Sequence, residues 1–139
     1  MKIGIIGLGV VGNANLKGFQ MLKHDVLVHD KKLKTSTKNL LKTKMIFLCV
    51  PTPSKKNGSC DISILESVVK DLCNIKYKGL IIIRSTVSPG TTLKMQKKYK
   101  NKDLLETGLF YLTRSKRMSK NEGQIKYIEN FINNVTNYL

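Results

Sequence analysis

The chain has 139 residues, 41% of them apolar, enough for one domain with a real core. No apolar run is long enough to cross a bilayer and none precedes a signal-type cleavage site, so a soluble, cytoplasmic protein without membrane contact is expected. The formal charge of +16 comes almost entirely from lysine, with only Arg84, Arg114 and Arg117 as arginines, whereas a nucleic-acid reader concentrates arginine and aromatics on one face.

Residues 2–30 set the pattern. An apolar run (Ile3, Ile5, Ile6) ends in Gly7-Leu8-Gly9-Val10-Val11-Gly12, a helix-length segment follows, and a second apolar run, Val26-Leu27-Val28, closes on Asp30. This is the order of a βαβ dinucleotide-binding unit. Gly7 allows the tight turn out of the strand, Gly9 removes a side chain that would block a pyrophosphate, and Gly12 lets the helix lie close on the strand. The helix opening at Val10 and Val11 offers free N–H groups and a partial positive charge to phosphates. Asp30 stands where an acidic residue accepts hydrogen bonds from the adenosine ribose, which argues for NAD over NADP. Lys31 and Lys32 beside it soften the repulsion of a 2′-phosphate. His24 is expected to end the helix as a partly charged imidazole, and His29 to be a solvent-facing strand end.

Between Asp30 and Met45 there is room for one helical turn around Asn39–Leu41. A complete Rossmann half needs another helix and strand there, so the sheet is expected to lack the usual outer strand. Met45 to Val50 is a continuous apolar run and reads as a strand buried on both faces. Pro51-Thr52-Pro53 stops it, and a polar loop with an Asn57-Gly58 turn follows. Asp61 is expected to be the N-cap of a helix carrying Ile62, Leu65, Val68, Val69 and Leu72. Leu80 to Ile83 is another buried strand, leading through Arg84–Thr92 into a lysine-rich helix that runs to about Lys100. A last short strand falls within Leu104–Leu112. Thr113–Asn121 is basic and polar, and Ile125, Ile128, Ile132, Val135 and Leu139 keep the spacing of an amphipathic terminal helix. Cys49, Cys60 and Cys73 show no metal-type or disulfide spacing; Cys49 reads as a core thiol, and no metal site is expected.

Three stretches, IGIIGLGVVG with Asp30, FLCVPTPSKKNGSCDIS and IIIRSTVSPGTT, stand in order at the carboxyl ends of successive predicted strands. Together they resemble the NAD-binding domain of the UDP-glucose/GDP-mannose dehydrogenase family over about residues 1–113, with 114–139 as a basic segment and terminal helix. That family oxidises the 6-hydroxyl of a nucleotide sugar to a carboxylate with two NAD in succession. The resemblance implies that Val50, Pro51 and Thr52 line the cofactor, that Ser85 and Thr86 approach the nicotinamide, and that Thr86 helps position a catalytic water. It also implies two glutamates where Leu109–Arg114 carries Phe110 and Arg114. The family's remaining domains, with the catalytic lysine, asparagine and thiol, have no counterpart in this sequence.

The expectation is therefore a single α/β domain, an abbreviated Rossmann-like, doubly wound and mostly parallel sheet of about five strands with helices on both faces. Its cofactor is NAD, bound by Gly7, Gly9, Val10, Val11, Gly12, Asp30, Lys31, Val50, Pro51, Thr52, Ser85 and Thr86. Its substrate would be a nucleotide sugar such as UDP-glucose, provided a partner chain, a second copy or further sequence completes the site. Two alternatives stand beside that reading: a non-catalytic NAD-binding regulatory or assembly module, and a basic protein reusing the fold for nucleic acid.

Overall fold

In a computed structural model of the protein, which describes residues 1–100, 103–106 and Asn130, five strands form one sheet. They are β1 (Lys2–Ile6), β2 (Asp25–His29), β3 (Met45–Leu48), β4 (Leu80–Ile83) and β5 (Leu104–Glu106). The order across the sheet is β2-β1-β3-β4-β5, and every pairing is parallel. Parallel neighbours need crossovers, which three helices supply: α1 (Val10–Met21), α2 (Ser63–Asn74) and α3 (Thr91–Tyr99). A short 3-10 segment, Thr37–Lys42, occupies the link between β2 and β3. With no helix and strand in that link, β2 is the edge of the sheet among the described residues, in keeping with the short spacing from Asp30 to Met45.

The strand sequences are apolar at successive positions because both faces are covered. Alternate residues serve opposite layers. Ile3, Ile5, Met45, Phe47, Leu80 and Ile82 face one core with Phe19 of α1, whose ring lies 4.8 Å from that of Phe47. Ile6, Ile46, Leu48, Ile81 and Ile83 face the other, with Leu65, Val69 and Leu72 of α2, Met95 of α3 and Leu40 of the 3-10 segment. Helices thus lie on both faces, and the winding direction reverses between β1 and β3. A crevice opens there at the strand carboxyl ends, the place where such sheets take ligands.

Two local expectations need correction. Ile62, not Asp61, is the residue at the α2 cap; Asp61 lies one position earlier, and its Oδ1 accepts from Ser63 N at 2.9 Å. His24 does not close α1, which ends at Met21 with Leu22 as its cap. The chain turns through Lys23 at φ 58°, and the His24 ring lies tilted against that of Phe19, centroids 6.5 Å apart, with its Nδ1 3.5 Å from the Met1 ammonium. Burial, then that ammonium, lower the imidazole pKa, so the ring favours its neutral form.

The segment Leu109–Arg114 and the terminal periodicity from Gln124 to Leu139 lie outside the described residues, Asn130 apart. Among the described residues no helix is long and apolar enough to cross a membrane.

Candidate functional site

The crevice is built first by the turn from β1 into α1. Gly7 has φ 94°, a conformation that L side chains rarely adopt, and a Cβ there would sit 2.6 Å from the Cys49 carbonyl oxygen. Its N–H donates to His29 O at 2.9 Å, while Cys49 N donates to Ile6 O at 2.8 Å. The turn is thereby tied to the ends of both neighbouring strands. At Gly12 a Cβ would fall 1.9 Å from the Gly7 carbonyl oxygen, so only glycine lets α1 pack this closely on β1.

Gly9 is different. Its backbone is extended (φ −70°, ψ −164°), and a Cβ there would meet nothing within 4 Å. Val10, the first helical residue, is 92% exposed. The first-turn N–H groups of Val10, Val11 and Gly12 have no intrahelical acceptor. The turn therefore presents bare main-chain donors and a helix N-terminus to open space, a cradle for an anion.

Asp30 closes the β2 side. Its Oδ2 accepts from Leu8 N at 2.7 Å and its Oδ1 from Lys32 N at 2.9 Å. Those two bonds, the Leu8 one first, hold the carboxyl below the usual carboxylate range. A carboxylate accepts about four hydrogen bonds, so each oxygen keeps capacity for a ligand hydroxyl. Lys31 and Lys32 are exposed beside it. His29, which precedes it, is half-buried, with Nδ1 2.9 Å from Thr35 Oγ1.

A carboxyl depressed in the folded state stabilises fully above its unfolded pKa, and that contribution is lost as pH falls through the lower folded value. Asp30→Ala is accordingly expected to cost about 1 kcal/mol near neutral pH, read as a lower thermal midpoint. The difference from the native chain should close in strong acid. A difference independent of pH would detach the carboxylate from the turn.

On the other side of the crevice stand the loops after β3 and β4. Val50 is buried, Thr52 and Ser85 are half-buried, and Pro51 and Thr86 are exposed. Thr52 Oγ1 donates to Thr86 O at 2.6 Å, and Ser85 Oγ donates to Val50 O at 2.7 Å. Beyond them Ser54 and Cys60 form an antiparallel bridge, with Gly58 at φ 80° in the turn the Asn-Gly pair anticipates. All the sequence-predicted residues thus fall on the carboxyl-end rim: the glycine turn and Asp30 on one side of the switch point, the two loops on the other.

Sequence reasoning passed over two asparagines of α1. Asn13 donates through Nδ2 to Leu8 O at 2.6 Å and to Gly9 O at 3.1 Å, so with Asp30 it fixes both peptide groups of Leu8. Asn15 is buried and donates to Val11 O at 2.8 Å. The available signal was a polar side chain one turn after the second glycine, within reach of its carbonyl.

Cys49, Cys60 and Cys73 form no disulfide with one another. Cys49 lies directly behind the glycine turn, and burial pushes its thiol up to about 12, with Arg84 pulling weakly the other way. A thiol protonated at physiological pH is no nucleophile. Among the described residues no group of three His, Cys, Asp or Glu stands together as a metal site.

Comparison with known proteins matches residues 25–126 to the NAD binding domain of the UDP-glucose/GDP-mannose dehydrogenase family. The chain is 41% identical over 58 residues to a GDP-mannose 6-dehydrogenase of Pseudomonas aeruginosa, covering 39% of the chain and 13% of that relative. It is 31% identical over 93 residues to a UDP-N-acetyl-D-mannosamine dehydrogenase of Pyrococcus horikoshii, covering 66% of the chain and 22% of that relative. It therefore aligns with a minor part of either protein's length. In fold it is similar to a UDP-glucose dehydrogenase of Pyrobaculum islandicum, with a TM-score of 0.64, 20% identity, and coverage of 77% of this chain and 34% of that one.

Proposed function

The chain belongs to the UDP-glucose/GDP-mannose dehydrogenase family, and from that premise we propose that it binds NAD across the β1/β3 switch point as the cofactor half of a nucleotide-sugar oxidation. The observation that carries this reading is the turn itself. Open space at Gly9 stands in front of unpaired first-turn N–H groups, with the Asp30 carboxylate held against Leu8 N at 2.7 Å. The residues present fit the group: bare main chain for a diphosphate, a carboxylate with spare acceptor capacity for ribose hydroxyls.

In this reading the main chain of Gly7, Gly9, Val10, Val11 and Gly12 holds the diphosphate and Asp30 orients the adenosine ribose, with Lys31 beside it. The carboxylate at that position disfavours the 2′-phosphate of NADP. Val50, Pro51 and Thr52 flank the cofactor as it crosses the switch point, and Ser85 and Thr86 stand at the nicotinamide end. Thr86 is the residue assigned to holding a water there. When bound, NAD supplies the hydride acceptor for oxidation of a sugar alcohol. The positive charge of the chain draws anionic dinucleotides and nucleotide sugars toward it.

The inert Cys49 thiol supports placing any covalent step on residues other than this one, contributed by a partner chain, a second copy or further sequence. The second reading is an NAD-binding module that regulates or assembles without turnover. Calorimetric titration with NAD, followed by addition of UDP-glucose or GDP-mannose while NADH absorbance is recorded, separates the two. Saturable one-site NAD binding is expected. Reduction with a sugar nucleotide supports the first reading, binding without reduction under any pairing supports the second, and no saturable binding overturns both.

A further inference from the structure

We infer that Thr52 and Ser85 are positioning residues, a reciprocal pair of hydroxyl-to-carbonyl bonds that joins the loops after β3 and β4 into one wall at the nicotinamide end. The inference rests on the dinucleotide reading above.

The donors and acceptors exchange loops. Thr52, in the loop after β3, donates from Oγ1 to the carbonyl of Thr86 in the loop after β4, at 2.6 Å. Ser85, in the loop after β4, donates from Oγ back to the carbonyl of Val50 at 2.7 Å, with Leu48 O a further 3.3 Å neighbour. The main chain prepares the join: Arg84 N and Ser85 N both donate to Leu48 O, at 2.9 and 3.0 Å. Past Ser85 the link passes to the Thr52 hydroxyl.

A hydroxyl carries one donor hydrogen, and here each is directed at a main-chain carbonyl. Ser85 and Thr52 therefore meet a ligand through lone pairs and through the backbone they hold. Thr86 is exposed, and its carbonyl is the one that Thr52 grips. The peptide group from which the Thr86 side chain projects is thus held by a side chain 34 positions earlier. Asp30 marks the ribose end on the β2 side of the sheet, so this wall serves the half of the ligand beyond the diphosphate.

The test compares NAD with ADP-ribose, which keeps the adenosine, the diphosphate and both riboses but has no nicotinamide. Calorimetric Kd values are measured on the native chain, Thr52→Val and Ser85→Ala, with thermal midpoints as the folding control. Each variant is expected to weaken NAD about five- to tenfold while ADP-ribose stays within twofold. Thr52→Ser and Ser85→Thr, which keep the hydroxyls, should restore NAD binding. NAD affinity unchanged in Thr52→Val, or NAD and ADP-ribose weakened equally in a folded variant, overturns the inference while the functional reading stands. A native chain that binds neither ligand overturns both.

Discussion

Gly9→Val should abolish NAD binding and leave the fold intact. The backbone at Gly9 is extended (φ −70°, ψ −164°), with φ on the negative side that L residues adopt, and a Cβ there meets no protein atom within 4 Å. The cost to folding is limited to a poorer helix cap, about 1 kcal/mol or less. In the liganded state the valine methyls would stand where the diphosphate must approach the first-turn N–H groups. A loss of at least about 100-fold in NAD affinity, or roughly 2.7 kcal/mol, is expected by calorimetry, with circular dichroism and the thermal midpoint near native. Gly9→Ala should fall between. Valine tolerated within about threefold would mean that the diphosphate does not sit on this turn.

Gly12→Ala, only three residues on, should do the opposite and damage the fold. The added methyl would lie 1.9 Å from the Gly7 carbonyl oxygen and 2.9 Å from its carbon, both main-chain atoms that cannot rotate away. Relief requires α1 to lift from β1, which opens the core beneath Phe19, Ile5 and Phe47. A loss of about 4 kcal/mol is expected, among the larger effects of a single substitution. In a chain of this size that lowers the thermal midpoint by on the order of 10–15 °C. Urea titration checks it through a lower transition midpoint at an unchanged slope. A midpoint within about 2 °C of native would show that helix and strand are not in the close contact described.

The opposite behaviour of two glycines in one motif shows how far the sequence could be read. Their spacing after an apolar strand marks both as special. That Gly12 faces a carbonyl and Gly9 faces nothing depends on where α1 comes to rest, and the packing of Phe19 on Phe47 helps decide that. Asp30 was legible as the acidic residue closing the second strand. Its bond to Leu8 N joins positions 22 apart and exists only once β1 and β2 are paired. His24 was misplaced for the same reason. Its setting is made by Phe19 and the Met1 ammonium, contacts that the sequence near His24 does not announce.

The strand–turn–helix order was readable in the sequence, and so were two buried strands: Leu80–Ile83, and a run read as Met45–Val50 that ends in the fold at Leu48; so was the lack, among the described residues, of a strand outside β2. These follow from local causes: unbroken apolar runs must be covered on both faces, glycines permit what a Cβ forbids, and a link this short between Asp30 and Met45 holds no helix and strand. Which hydroxyl meets which carbonyl at the crevice, and the clamping of Leu8 by Asn13 and Asp30 from either side, emerge only when the elements pack together. The loop-to-loop bonds join residues 34 and 35 positions apart. A hydrogen bond is made within a few tenths of an ångström, so its partner is named by the docking of whole elements, not by neighbours in the chain.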